Sequence, residues 1–150
     1  MPQPRHNILV LNGPNLNMLG VREPDVYGFK NLSAIALECE EYAAELGFEI
    51  DFRQSNSEGE MLTIIQQAHT HVAGVIINAA AYAHTSIALH DALKILDVPI
   101  IEVHLSNVFK RENFRHHSYV APLAKGVICG FGGHGYLMAL DALRALLDDA

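Results

Sequence analysis

Short apolar runs alternate along this chain with segments of helical periodicity, and this alternation constrains the fold more than any other feature. Five runs read as strands, at residues 8–11, 48–52, 74–78, 99–103 and 126–129. Apolar residues recur at helical spacing in four further segments, at residues 32–46, 58–72, 87–96 and 136–147. Short apolar strands separated by helices form a parallel sheet that is covered on both faces. The pattern therefore predicts a three-layer α/β/α sandwich.

The order of these elements predicts the topology of the sheet. Crossover connections between parallel strands are right-handed, and five such strands suit the flavodoxin-like order 2-1-3-4-5. In these sheets ligands bind beyond the carboxyl ends of the strands, so we look for functional residues after strands 1, 3 and 4. We expect a single domain over residues 1–150, with a flexible N-terminus at residues 1–6.

Charge and composition exclude several classes of function. The 17 acidic and 10 basic residues give a net charge of −7, which argues against nucleic-acid binding because that needs a basic surface. No apolar run is long enough for a signal peptide or a membrane span, so we expect no membrane partner. The two cysteines, Cys39 and Cys129, are predicted to be buried free thiols, which fits a reducing cytoplasm.

Polar and charged residues collect at the predicted strand ends. They are Asn15, Arg22 and Tyr27 after strand 1; Asn78 and His84 after strand 3; Glu102, His104, Ser106, Arg111 and Arg115 at or after strand 4. Amides, hydroxyls and a few bases at one edge of a sheet are typical of a site for a small, oxygen-rich anion.

Two of these residues suggest acid–base chemistry. Tyr27 can act as a general base if Arg22, in the same loop, stabilises its phenolate, because a free phenol has a pKa near 10. His104 can act as a general acid or base, and Glu102 lies two residues earlier, on the same side of the strand, where it can orient the imidazole. From spacing alone, Tyr27 can equally be a packing residue and His104 a histidine at the sheet edge.

Other motifs favour structural roles. Thr85 or Ser86 is a plausible N-cap of the third long helix, where free N–H groups can also bind an anion. Residues 130–135 match the dinucleotide pattern GxGxxG, but they follow the last strand, so we interpret the glycines as a tight strand–helix junction. The histidine pairs at 69/71 and 116/117 lack further ligands at a diagnostic spacing, so we expect no metal site.

Taken together, the chain resembles the type II 3-dehydroquinate dehydratases (type II dehydroquinases) over residues 6–147. Five long motifs carry the resemblance, in order and at matching spacing. They are LNGPNLNMLGVREPDVYG at 11–28, RQSNSE at 53–58, NAAAYAHTS at 78–86, EVHLSN at 102–107 and RENFRHHS at 111–118. The resemblance implies reversible anti dehydration of 3-dehydroquinate to 3-dehydroshikimate through an enolate, without a cofactor, in the shikimate pathway or in quinate catabolism.

The resemblance also implies a role for each site residue. Tyr27 takes the C2 proton, and Arg22 helps to hold the Tyr27 side chain as tyrosinate. Asn15 positions a water that stabilises the enolate oxygen. His104, partnered by Glu102, protonates the leaving C1 hydroxyl. The implied substrate-binding residues are Asn78, His84, Asp91, Leu105, Ser106, Arg111 and Arg115, of which Asp91 is supplied across a trimer contact and Arg111 lies in a mobile lid with Arg22 and Tyr27.

The implied assembly is a homododecamer built as a tetramer of trimers. The chain departs from the family pattern after strand 3, where Asn-Pro-Gly-Ala-Tyr-Thr-His is common and Ala79, Ala80 and Ala83 stand here, and at His90, where arginine is common. Two other functions stay open from the residues alone. They are a non-catalytic flavodoxin-like module that binds a small anionic ligand, and a metal-dependent hydrolase that uses the histidines.

Overall fold

The computed structural model describes residues 6–27 and 30–149, with the side chain of Tyr27 left out. The five strands are β1 (His6–Asn12), β2 (Phe48–Gln54), β3 (Gly74–Asn78), β4 (Ile100–His104) and β5 (Gly126–Cys129). The five α-helices are α1 (Pro24–Tyr27), α2 (Leu32–Leu46), α3 (Glu58–Ala68), α4 (Ile87–Leu93) and α5 (His134–Asp148). Short 3-10 helices at Leu16–Met18, Ala80–His84, Val108–Lys110, Asn113–Arg115 and Ala121–Leu123 lie in the connections.

All strand pairs are parallel, and the strand order is β2-β1-β3-β4-β5. This confirms the predicted order 2-1-3-4-5. Asn12 at the end of β1 is paired in register with Asn78 at the end of β3. The loops that follow β1, β3 and β4 therefore leave the sheet at one edge.

Alternation along the strands divides the core between the two faces. Ile8 and Val10 of β1 join the cluster under α2 and α5, which includes Tyr136. Leu9 and Leu11 join the cluster under α3 and α4. The three-layer sandwich is thus confirmed. None of the helices in the described part of the chain is long and apolar enough to cross a membrane.

The helix ends follow local capping rules. The side chains of Ser57 and Ser86 accept hydrogen bonds from the backbone N–H groups of Glu60 and Leu89, so both serines are N-caps. Gly47, with φ of 79°, ends α2 in the left-handed conformation that glycine adopts without strain. The capping role expected for Ser86 is confirmed.

Several predicted boundaries were wrong for local reasons. Helix α3 ends at Ala68 rather than at residue 72, and Thr70 follows with φ of 69°, which no helix continues through. Helix α4 ends at Leu93 rather than at 96, because the N–H groups of Ile95 and Leu96 bond to carbonyls three residues back. Helix α5 begins at His134, two residues early.

Two further expectations need adjustment. Cys39 is buried, and burial raises its pKa to about 12, but Cys129 is only half-buried. Residues 1–5 of the expected flexible N-terminus lie outside the described residues, whereas His6 already belongs to β1.

Candidate active site

A cleft opens at the carboxyl edge of the sheet. The loops after β1, β3 and β4 supply its lining. The lining residues are Pro14, Asn15, Leu16, Arg22, Asn78, Ala80, Ala81, His84, His104, Leu105, Ser106, Val108 and Arg115. Two arginines and two histidines are among these thirteen residues and no carboxylate is, so the cleft favours an anion.

The loop after β1 crosses close to the loop after β3. A Cβ atom at Gly13 would lie 2.3 Å from the carbonyl oxygen of Ala79, so only glycine fits there. Asn15 follows in the left-handed region, with φ of 70°, and its N–H donates to the Asn56 side chain at 3.0 Å. Arg22 lines the same side of the cleft and forms an ion pair with Glu23 at 3.3 Å.

Tyr27 is the last residue of helix α1, on the loop that also carries Arg22. Its side chain, and residues 28 and 29, lie outside the described part of the structure. The assignment of Tyr27 as the base therefore stays a prediction.

Asn78 closes the end of β3 and is 2% exposed. Its Oδ1 accepts a hydrogen bond from the N–H of Ala80 at 3.2 Å, and its Nδ2 donates to the hydroxyl of Tyr136 at 3.0 Å. Ala80 has φ of 52°, a left-handed conformation that costs an alanine energy and a glycine none. This is the position where the type II dehydroquinases that the sequence resembles commonly have glycine.

His84 follows at the end of the next 3-10 helix and is held by a backbone carbonyl. Its Nδ1 lies 2.7 Å from the carbonyl oxygen of His117, so Nδ1 carries the proton and donates. Burial is the largest influence on the pKa of His84 and lowers it. The hydrogen bond to His117 raises the pKa by less, and the charges of His104 and Arg115 lower it further. A neutral His84 with Nδ1–H leaves Nε2 as a hydrogen-bond acceptor for a ligand.

His104 stacks on His84, with ring centroids 5.9 Å apart and planes inclined by 16°. Its Nε2 contacts Oε2 of Glu102, and the hydroxyl of Ser118 donates to the same oxygen at 2.8 Å. The Ser118 oxygen in turn accepts from the N–H groups of Val120 and Ala121, each at 3.1 Å. Since Nε2 is engaged by Glu102, the nitrogen of His104 that remains for a ligand is Nδ1.

Glu102 is 1% exposed, so its carboxylate lies behind the cleft rather than in its lining. Within the described residues, its Oε1 has no hydrogen-bond partner. Both donors therefore act on Oε2, and they hold the carboxylate in one orientation behind the His104 ring. The expected Glu102–His104 pair is present, and sequence inspection did not identify Ser118 as its third member.

The loop after β4 brings the other predicted residues to the site. Leu105 is buried and Ser106 half-buried in the lining, and the Ser106 hydroxyl accepts from Nη1 of Arg111 at 3.2 Å. Nε of Arg115 donates to the exposed Glu112 at 2.8 Å, which orients the guanidinium along the cleft wall. Arg111 itself is not among the lining residues, and neither is Asp91, which is exposed on α4.

The glycines of residues 130–135 have the structural role that the sequence suggested. Gly130 and Gly132 have positive φ, and a Cβ at Gly133 would lie 3.0 Å from Ile35, so these glycines form a tight strand–helix junction. Among residues 6–27 and 30–149, no three His, Cys, Asp or Glu side chains are grouped so that they could hold a metal ion.

Comparisons with known proteins show the family of this chain. The family described as dehydroquinase class II matches residues 6–144. The chain is 60% identical over 134 residues to 3-dehydroquinate dehydratase 2 of Pseudomonas aeruginosa, covering 89% of this chain and 90% of that protein. It is 56% identical over 137 residues to 3-dehydroquinate dehydratase 1 of Agrobacterium fabrum, covering 91% and 94%. The crystal structure of a type II dehydroquinase from Propionibacterium acnes superposes with a TM-score of 0.91 at 46% identity, covering 96% and 99%.

Proposed function

The chain belongs to the type II dehydroquinase family, and from this membership we propose which of its residues carry out the reaction. That reaction is the reversible removal of water from 3-dehydroquinate, a lyase step of the shikimate pathway. The observation that carries the assignment of residues is the cleft itself, which joins Arg22, His84, His104 and Arg115 without an acid in its lining. A non-catalytic binding module is not retained, because the relatives bear the name of an enzyme.

In the first step, the Tyr27 phenolate removes the proton from C2 of the substrate. The C–H electron pair moves into the ring to form an enolate, and the proton stays on the Tyr27 oxygen. Arg22, five residues earlier in the same loop, stabilises the phenolate before the transfer. Its position in the cleft lining supports this role.

The enolate then carries negative charge on the former carbonyl oxygen. Asn15 positions a water molecule against that oxygen, and its own backbone is fixed by the Asn56 side chain. Polar groups that are already in place when charge develops lower the barrier, because they need not reorient during the reaction.

In the second step, the enolate collapses to a carbon–carbon double bond and the C1 hydroxyl leaves. Hydroxide is a poor leaving group, so His104 donates a proton to it and water departs. The available proton is the one on Nδ1, because Nε2 is held by Glu102. Tyr27 ends with one more proton and His104 with one fewer, and solvent restores both.

The remaining residues bind the substrate. Arg115 and the backbone N–H groups of Leu105 and Ser106 hold its carboxylate, while Asn78 and the Nε2 acceptor of His84 bind hydroxyl groups. Arg111, bonded to the Ser106 hydroxyl, closes the cleft as part of a lid with Arg22 and Tyr27.

Asp91 requires a second subunit in this proposal. Asp91 is exposed on α4 and lies outside its own cleft, which supports a role in the site of a neighbouring chain. We propose a homododecamer, a tetramer of trimers, in which the single catalytic domain of each chain works in the cytoplasm.

Turnover of 3-dehydroquinate tests this function. The enone of the product absorbs in the ultraviolet, so product formation is followed directly, and no cofactor should be needed. Because no lysine imine forms, activity should survive borohydride in the presence of substrate. Loss of activity on borohydride treatment, or absence of turnover, would contradict the proposal.

A further inference from the structure

A tyrosine hydroxyl lies buried beneath the cleft, between the ends of two strands. Tyr136 of α5 is 0% exposed. Its hydroxyl donates to Oδ1 of Asn12 at 2.5 Å and accepts from Nδ2 of Asn78 at 3.0 Å. These two asparagines are register partners at the carboxyl ends of β1 and β3, and they are 0% and 2% exposed. The hydroxyl therefore joins the two strand ends that lead into the proposed site.

The neighbouring contacts fix the direction of each hydrogen bond. Oδ1 of Asn78 accepts from Ala80, so its Nδ2 faces Tyr136. Nδ2 of Asn12 donates to the carbonyl oxygen of Arg53 at 3.0 Å, so its Oδ1 faces Tyr136. An amide nitrogen carries two hydrogens, and Asn78 donates one of them in its hydrogen bond to Tyr136. The other is available to the cleft that Asn78 lines.

The glycine-rich junction before α5 explains how the tyrosine reaches this place. A Cβ at Gly135 would lie 3.3 Å from Val103 of β4, and one at Gly133 would lie 3.0 Å from Ile35 of α2. The absence of side chains at these positions lets the first turn of α5 lie close against the sheet. Burial also raises the pKa of Tyr136 well above that of a free phenol, so the hydroxyl remains protonated and able to donate.

We propose that Tyr136 is a positioning residue of the site, whose hydroxyl holds the Asn78 amide in the one orientation that presents N–H to the substrate. This rests on the proposed function, in which Asn78 binds substrate. The same hydroxyl fixes Asn12 at the end of β1, three residues before Asn15. Tyr136 does not touch the substrate and acts through Asn78.

A double-mutant cycle separates positioning from a merely structural role. Tyr136→Phe keeps the ring and removes the hydroxyl, and we expect kcat/KM to fall about tenfold, mainly through a higher KM, because a buried amide loses its partner. Asn78→Ala should cost at least as much. In the Asn78→Ala background, Tyr136→Phe should change kcat/KM by less than about twofold, since the amide that it positions is gone.

Tyr42→Phe is the matched control, because it removes a tyrosine hydroxyl bonded to Asp141 between α2 and α5, outside the cleft lining. Its kinetics should equal those of the wild type. Denaturant titration of each variant shows that kinetics are compared between folded proteins. If Tyr136→Phe does not fold, Asn12→Ala replaces it in the cycle, because it removes the oxygen that accepts the hydrogen bond of the Tyr136 hydroxyl. Its effect on kcat/KM should likewise be less than about twofold in the Asn78→Ala background.

The outcomes are distinct. Wild-type kinetics in Tyr136→Phe, or losses that add independently of Asn78, would overturn the positioning role while leaving the enzyme assignment intact. A wild-type protein without turnover would overturn the proposed function and this inference with it.

Discussion

Replacing Glu102 by Gln should lower kcat while leaving the free energy of unfolding nearly unchanged. The Glu102 carboxylate holds His104, but as a buried charge it has too few hydrogen-bond donors to contribute much stability. Glu102 is 1% exposed, and its two donors within the described residues, His104 and Ser118, both act on Oε2. The isosteric amide can keep both contacts with its carbonyl oxygen. What the variant loses is the negative charge beside the protonated imidazole that the second step requires.

The magnitude of this loss follows from Coulomb's law. Two unit charges about 4 Å apart interact by about 4 kcal/mol at an effective dielectric constant near 20. The amide dipole retains part of this energy, so we expect the barrier to rise by about 3 kcal/mol and kcat to fall by about 10²-fold. The free energy of unfolding should change by less than about 1 kcal/mol, since burying an incompletely paired carboxylate contributes little net stability.

The assay compares initial rates by enone absorbance with unfolding by denaturant, for Glu102→Gln and for Glu49→Gln. Glu49 is an exposed carboxylate near the start of β2, at the end of the sheet opposite the cleft, so it controls for the loss of one charge. A kcat within about threefold of the wild type in Glu102→Gln would refute the role of the carboxylate. A large loss of stability would refute the view that the pair serves chemistry rather than folding.

Three further outcomes are expected. Ala80→Gly should raise the free energy of unfolding by up to about 1 kcal/mol in denaturant titration, because it relieves a left-handed alanine, and a destabilised variant would contradict this. The pKa of His84 is lower in the folded state, so this residue contributes stability above about pH 6.5 that is lost as pH falls. In denaturant titrations, the free energy of unfolding should therefore fall less on acidification in His84→Gln than in the wild type. Gel filtration should give a species near twelve times 16.5 kDa, and Asp91→Asn should lower turnover without changing that size, whereas an active monomer would exclude the cross-subunit role.

The sequence predicted the fold well because the signals were local or periodic. Strands such as Gly74–Asn78 are continuous apolar runs, and α2 ends at Gly47 as capping rules require. Chain direction and right-handed crossovers then leave few topologies for five parallel strands. Helix ends were less predictable where the stop signal was not a glycine or proline, as at Thr70.

The meeting of the candidate residues at one edge of the sheet was predictable, because residues that follow neighbouring parallel strands come together there. The contacts behind it were not predictable. Ser118 reaches Glu102 across 16 residues and Tyr136 reaches Asn12 across 124, and no local pattern encodes such separations. The motif resemblance gave roles to residues in the lining, whereas the supporting contacts required the three-dimensional structure.

The most direct test of the central claim, that Tyr27 and His104 act in separate steps through an enolate, is exchange of the C2 proton in deuterated water, followed by NMR. His104→Ala should lose nearly all dehydration yet still exchange the C2 proton of 3-dehydroquinate faster than the enzyme-free solution, because the base acts first. Tyr27→Phe should show neither exchange nor dehydration above that background. Exchange that persists in Tyr27→Phe, or that disappears in folded His104→Ala together with dehydration, would contradict the account.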